Sequence, residues 1–239
     1  MTEAELFDEW PERYESWFRT TIGRLVRQVE GAAVSDLLDP HPGERVLDAG
    51  CGTGIFTTDI IAAGAMVVGL DISRPMLQRA MSKTTPLTFS AVQADMRRLP
   101  FAGGTFDKAV SITALEFIED AQAAVNELFR ITRPGGYVIV ATLNSLSPWA
   151  DRRNAKTRRG QRHILENAYY RCPADLLACS PHPAVVRTAV HFQKEDDLTT
   201  ALGAEDRGRL LGLDTGAFVA VRWQKPASVG PAAQQSPPR

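Results

Sequence analysis

The chain has 239 residues, 44% hydrophobic and 23% charged, with a formal net charge of −1; this is ordinary globular composition, enough for one sizeable core, and it lacks the basic excess of a general nucleic-acid binder. No apolar run approaches the ~18 residues that a bilayer span needs, and the N-terminus, M-T-E-A-E-L-F-D-E-W, is acidic and unlike a secretory leader. Cys51, Cys172 and Cys179 form no C-x-x-C pair and the four histidines stand at no metal-ligand spacing, so a reducing cytoplasm and no metal are expected.

From residue 3 to 38, Phe7, Trp10, Tyr14, Trp17 and Phe18, then Ile22, Leu25, Val26, Val29, Ala33 and Leu37, recur at helical spacing, with Pro11 splitting the arm in two. D39-P-H-P-G43 punctuates. An alternation follows: strand 45–48, helix 54–63, strand 66–71, a helix capped by Ser73 over Met76, Leu77, Ala80 and Met81, and strands 88–95 and 106–112. A helix over 121–131, closed by R133-P-G-G136, leads into a strand over 137–144. Such alternation means β-α-β units, hence an α/β Rossmann-like sheet that is mostly parallel, with helices on both faces.

Residues 145–183 change character. They read as an insertion rich in Arg, Trp and Tyr, with a short helix over about 173–179. Two further strands, 184–192 and 216–223, complete the sheet, and the tail over 226–239, rich in Pro, Ala and Gln, has little to bury and is expected to be disordered. The organisation expected is thus an arm over 1–40, a core over 41–144, the insertion over 145–183, strands over 184–225, and the tail.

The chemistry starts at V46-L-D-A-G-C-G-T-G-I-F56. Each glycine costs stability through the backbone entropy it loses, so glycine at every second position implies a close approach. A strand, a glycine turn and a helix bring bare amides and a helix N-terminus to a ligand, and open α/β sheets use this for dinucleotides and for S-adenosyl compounds. The dinucleotide pattern G-x-G-x-x-G would put Ile55 at its third glycine, which weakens that reading. Asp71, closing the second strand, is placed to accept from a ribose diol, and Asp95, closing the third, from an adenine amino group. Asp48, just before the glycines, makes the loop less welcoming to a pyrophosphate.

V-L-D-A-G-C-G-T-G, V-V-G-L-D-I-S, Q-A-D-M-R-R-L-P-F, F-D-K-A-V-S-I-T-A-L-E-F and R-P-G-G-Y-V-I-V-A-T-L-N resemble the successive motifs of class I S-adenosylmethionine-dependent methyltransferases, in the branch with the ubiquinone/menaquinone C-methyltransferases. The resemblance covers roughly residues 7 to 144. It implies a seven-stranded sheet with an antiparallel last strand, S-adenosylmethionine as cofactor and S-adenosylhomocysteine as product. It places Asp48, Gly50, Cys51 and Gly52 at the methionyl part, Asp71 at the ribose, and Ile72 and Met76 beside the adenine. Asp95 and Met96 meet the adenine edge, and Thr113 and Ala114 lie under the methionyl carboxylate and sulfonium. Tyr14, in E12-R-Y-E15, resembles the family's Tyr-Asp that closes over the cofactor, with Glu15 a departure.

Methyl transfer from a sulfonium needs alignment and water exclusion, and a base only where the nucleophile holds its proton. Many relatives have a His soon after the fourth strand. This chain reads L115-E-F-I118, which leaves Glu116 as candidate base or substrate orienter, with a surface position as the bland alternative. Trp17, Phe18, Asn144, Trp149, Arg152 and Tyr169 are the substrate-side candidates. The stretch 151–162, with six basic residues and one acidic, reads as capture of an anionic group, as peripheral contact with an anionic membrane, or as a solvated loop. The expected partner is a small-molecule acceptor, anionic or apolar, and not nucleic acid. Two other functions compete: a non-catalytic S-adenosyl-binding protein and a nicotinamide-dependent oxidoreductase.

Overall fold

The structure, a computed structural model, describes residues 7–158, 165, 166 and 168–227, with no side-chain description for 156–158. Helix α1 (Pro11–Arg19) begins at the proline that splits the arm, and α2 (Thr21–Leu38) begins at Thr20, whose Oγ1 accepts from Gly23 N–H at 3.0 Å. Strand β1 (Arg45–Ala49), α3 (Thr57–Ala62), β2 (Met66–Asp71), α4 (Arg74–Met81), β3 (Phe89–Gln93) and β4 (Phe106–Ile112) follow the expected alternation. Next come a 3-10 turn at Leu115–Phe117, α5 (Ala121–Ile131), β5 (Thr132–Leu143), α6 (Pro148–Arg158), α7 (Pro173–Ala178), β6 (Ala184–Ala189), α8 (Leu198–Leu211) and β7 (Phe218–Gln224).

The seven strands stand in the order β3-β2-β1-β4-β5-β7-β6. The first five are parallel, and β7 runs antiparallel between β5 and β6. Chain order reverses between β1 and β4, and ligand clefts in open α/β sheets form at that point, beyond the carboxyl ends of the strands. One face of the sheet is covered by α2, α3, α4 and α8 through residues such as Leu38, Ile60, Leu77 and Ala201. The other is covered by α5 and α7 through Val125, Leu128 and Leu176. The N-terminal helix α2 is therefore part of the core wall: Leu25, Val26, Val34, Leu37 and Leu38 are all buried.

Three elements differ from expectation. P-W-A-D-R-R-N-A-K-T-R forms a helix although it carries no apolar stripe, so the basic stretch is helical as far as Arg158; residues 159–162 lie outside the described set. Helix α8 is also absent from the periodicity, since L-T-T-A-L-G-A-E-D-R-G-R-L-L holds two interior glycines. It is set by its ends, with Asp197 accepting from Thr200 N–H at 2.9 Å and Gly212 at φ 61°. Gly208 is needed there because a Cβ would meet the His191 ring at 2.1 Å. Finally, R133-P-G-G136 lies within β5 and does not stand as a separate turn, with a register shift in the β4 pairing between Phe106 and Lys108. The expected tail lies outside the described residues from 228 onward.

Candidate functional site

The turn after β1 answers why glycines alternate. All three have positive φ (77°, 53° and 74° at Gly50, Gly52 and Gly54). A Cβ on Gly50 would lie 2.3 Å from Ala114 Cβ, and one on Gly54 would lie 3.1 Å from Ala80 Cβ. Those two glycines let the turn press against the β4 loop and α4. A Cβ on Gly52 would meet nothing within 4 Å, and Gly52 lines a cavity of about 920 Å³. Only this glycine keeps backbone bare toward open space.

Asp71 is tied to the same turn. Its Oδ2 accepts from Gly52 N–H at 2.8 Å and its Oδ1 from Ser73 N–H at 2.9 Å, and the residue lines the cavity. Burial raises its pKa against the pull of these amides. Asp48 accepts from the Thr57 hydroxyl at 2.6 Å, and burial pushes it up to about 6 despite that bond. Burial likewise pushes the Cys51 thiol up, away from thiolate chemistry. Asp95 is different. Burial raises it, but the Arg97 guanidinium, bound to both its oxygens at 2.7–3.0 Å, outweighs this and holds it below the usual carboxylate range. Part of its accepting capacity is thereby used.

The twelve residues expected at the cofactor (Tyr14, Asp48, Gly50, Cys51, Gly52, Asp71, Ile72, Met76, Asp95, Met96, Thr113 and Ala114) all line this one cavity. Thr113 is held at φ 47° while its N–H donates to Ala141 O at 2.8 Å, a strained position between β4 and the 3-10 turn. Tyr14 of α1 lines the cavity together with Thr113 and packs edge-on to Phe18 with centroids 5.2 Å apart. Helix α1 is fastened further along by Glu15, the departure noted in the sequence. Its carboxylate meets Arg79 at 2.7 Å and also Lys83, and Arg79 first, then Lys83, hold it down to about 2 although burial opposes them.

On the far side of Thr113 the cavity becomes aromatic. Trp17 meets Trp149 edge-on with centroids 6.3 Å apart, Phe18 packs edge-on to Phe56 at 6.1 Å, and Phe7 to Phe117 at 4.8 Å. Trp17, Phe18, Trp149, Arg152 and Tyr169 line this half; Arg152 is paired with Glu195. Asn144 does not line it. Its amide donates to Asp214 O at 2.6 Å and Gly216 O at 2.8 Å, and its Oδ1 accepts from Leu146 N–H at 3.1 Å, so it is a buried clasp between β5 and the segment before β7. The bland surface reading of Glu116 is also corrected. It is 0% exposed, accepts from Leu143 N–H at 2.7 Å, and its pKa is raised by burial.

Glu30 and Arg153, which the sequence reading did not single out, complete this half, and Arg171, expected with Tyr169 and Tyr170 to cap the pocket, braces the turn beside it. Glu30 of α2 is 4% exposed and lines the cavity, and burial followed by the charge of Glu116 pushes it up to about 8. The signal was available: Val26, Glu30 and Val34 recur every four residues on the buried stripe, where a carboxylate is out of place. Arg153 also lines the cavity and bonds Tyr170, with its pKa lowered by burial. Arg171, 8% exposed, donates to the carbonyls of Leu115 (2.7 Å), Ile118 (2.5 Å), Tyr169 (3.1 Å) and Glu119 (3.1 Å), binding the insertion to the turn that carries Glu116. Neither arginine has a periodic signal, because each acts across elements distant in sequence. Among the described residues no cluster of three metal-ligating side chains occurs, and no helix is long and apolar enough to cross a membrane.

Residues 47–140 match the family model described as a methyltransferase domain. The chain is 37% identical over 150 residues to a demethylmenaquinone methyltransferase of Beutenbergia cavernae, covering 62% of this chain and 60% of that protein. It is 40% identical over 115 residues to a malonyl-[acyl-carrier protein] O-methyltransferase of Erwinia billingiae, covering 48% and 45%. The matches thus span three fifths or less of these curated relatives. A solved SAM-dependent methyltransferase of Thermotoga maritima, described as a possible histamine N-methyltransferase, superposes with TM-score 0.74 at 21% identity, over 94% of this chain and 100% of that one. Geranyl diphosphate C-methyltransferase of Streptomyces coelicolor, solved with S-adenosylhomocysteine, superposes with TM-score 0.60 at 15% identity, over 82% and 76%. These two likenesses establish the fold.

Proposed function

We propose, for a chain that belongs to the class I S-adenosylmethionine-dependent methyltransferases, that it moves a methyl group from S-adenosylmethionine to a small organic acceptor held in the aromatic half of its cavity. The observation that carries this is the one cavity lined by the bare face of Gly52 and by Asp71 at one end and by Trp17 and Trp149 at the other. The cradle fits an adenosyl amino acid: Asp71 faces the position of a ribose diol, Met76 and Met96 offer apolar contact, and Gly52 leaves room for a chain crossing the turn. When bound, the cofactor supplies an electrophilic methyl and leaves as a neutral thioether.

The protein's own work is alignment. Glu15, paired with Arg79 and Lys83, fastens α1 beside the cradle, and aromatic walls line the junction of the two halves. Orientation of this kind lowers barriers by about 7–11 kcal/mol at best. An apolar acceptor fits the walls better than an anionic one, because Arg152 is already paired with Glu195 and Arg153 faces acidic neighbours. Membrane attraction through 151–162 draws no support from the two described arginines of that stretch, for the same reason. Three free cysteines support a cytoplasmic setting.

The test is calorimetric titration with S-adenosylhomocysteine and, separately, with reduced nicotinamide dinucleotide, followed by incubation of methyl-labelled S-adenosylmethionine with a metabolite pool. Micromolar binding of the first ligand alone, with label appearing on a small molecule, is expected. Binding of the nicotinamide alone refutes the assignment.

A further inference from the structure

Two carboxylates lie buried on the acceptor side of the cavity without the cationic partners that hold Glu15. Glu15, 7% exposed, is met by Arg79 and Lys83. Glu30 and Glu116 are 4% and 0% exposed, and both line the cavity. Among the described residues no hydrogen bond reaches the Glu30 carboxylate. Glu116 uses Oε1 on Leu143 N–H, while Oε2, beside the Thr142 hydroxyl, makes no hydrogen bond of acceptable geometry.

The charges facing Glu30 come from every element around it: Glu116 from the 3-10 turn, Arg153 from α6, Arg27 from its own helix and Glu205 from α8. Arg27 is committed to Ile55 O and to Asp59, each at 2.6 Å, and Glu205 to His191 N–H at 2.8 Å. Among the charges that bear most on Glu30, Glu116 and Glu30 itself are set against Arg153, one positive charge short, with Lys194 standing over the Trp17 ring on the same cavity. In a site removed from water such a deficit is met by a proton or by a bound cation. The raised Glu30 is the proton solution, adopted when nothing else is present.

The surroundings suit the other solution. Tyr14 and Thr113 line the same cavity as both carboxylates, so the pair borders the cofactor cradle. The aromatic rings here already face cations: Lys194 Nζ lies 4.9 Å from the Trp17 ring centre, and the Arg153 guanidinium lies 5.6 Å from that of Trp149.

Resting on the methyl-transfer reading above, we infer that Glu30 and Glu116 form the recognition site for an amine acceptor, bound as its ammonium ion between the two carboxylates and the aromatic walls. One ammonium proton passes to the Glu30 carboxylate. The freed nitrogen lone pair forms the N–C bond as the C–S bond of the sulfonium breaks, giving an N-methylammonium and a neutral thioether, and the proton then leaves to solvent. Glu116, fixed by Leu143 N–H, supplies the charge that holds the substrate nitrogen.

The test uses the full chain saturated with S-adenosylhomocysteine and titrated with 2-phenylethylamine, tryptamine and cyclohexylmethylamine, each against its matching alcohol. At least one amine should bind about ten- to a hundredfold more tightly than its alcohol, the scale of one charge-assisted hydrogen bond. Glu30→Gln should erase that preference while S-adenosylhomocysteine binds as before. If no amine exceeds its alcohol in the wild-type protein, the inference is wrong although the methyltransferase reading stands. If Glu30→Gln weakens S-adenosylhomocysteine as much as the amine, the pair serves the cofactor and the inference is likewise wrong. Failure of S-adenosylhomocysteine to bind the wild-type chain removes both.

Discussion

Adding one methyl group at Gly52 and, separately, at Gly50 divides what the glycine turn does for folding from what it does for binding. Both residues hold positive φ, where an L side chain costs about 1–2 kcal/mol. At Gly52 that is the whole structural cost, since the new Cβ meets nothing within 4 Å. At Gly50 the Cβ would sit 2.3 Å from Ala114 Cβ and 2.9 Å from Met96 Cε, adding about 1–3 kcal/mol of overpacking. In a chain of 239 residues each kcal/mol lowers Tm by roughly 2–4 °C. Gly52→Ala should therefore melt about 2–8 °C low and Gly50→Ala about 4–20 °C low. Binding should rank the other way per unit of stability lost. The Gly52 methyl projects into the space assigned to the cofactor, and the same overpacking scale predicts S-adenosylhomocysteine binding weakened roughly five- to a hundredfold. Scanning calorimetry and titration calorimetry on the two variants read both quantities. Wild-type affinity in Gly52→Ala would refute the placement of the ligand over this turn.

Asp71→Ala leaves the Gly52 and Ser73 amides without their acceptor as well as removing the contact proposed for the ribose. S-adenosylhomocysteine affinity should fall about ten- to a hundredfold, measured by titration. Glu15→Gln exchanges the charged fastening of α1 on α4 for a weaker neutral one. It should lower stability in urea by about 1–3 kcal/mol, and because Glu15 titrates near 2 when folded, the variant should also lose the part of acid sensitivity that the wild-type chain shows between pH 4.5 and about 2. Glu30 works with the opposite sign. Its folded pKa of about 8 lies above the unfolded 4.5, so the native state keeps a proton that the unfolded chain releases. Its contribution to stability is present below 4.5 and is lost as pH rises to about 8, at a limiting slope of about 1.4 kcal/mol per pH unit. Between pH 6.5 and 8, above the range where Asp48 titrates, the wild-type chain should lose stability and Glu30→Gln should not. Equal slopes in urea titrations of the two would contradict the buried, unpaired state of Glu30.

The residues proposed for the cofactor were legible in the sequence where they sit at element boundaries that local rules mark. Asp48 and Asp71 end or nearly end strands, the glycines follow β1 directly, and Ser73 caps α4. The acceptor half was readable only in its aromatics. Asn144 looked like a pocket residue since it follows β5, yet its side chain turns to the carbonyls of Asp214 and Gly216, seventy residues on. Arg153 looked like one of a run of surface cations, until α6 turned it inward to the cavity.

By itself, then, the sequence determined the alternating β-α architecture, the glycine turn and the strand-end carboxylates. All of these follow from hydrophobic period and backbone conformation, which neighbouring residues settle. Only the tertiary structure decided that a side chain at Gly50 or Gly54 would strike the neighbouring elements while one at Gly52 would enter open space. It alone set Glu30, Glu116 and Arg153, from three separate elements, on the wall of one cavity. Burial and net local charge are sums over residues far apart in the chain, and no window along the sequence contains them.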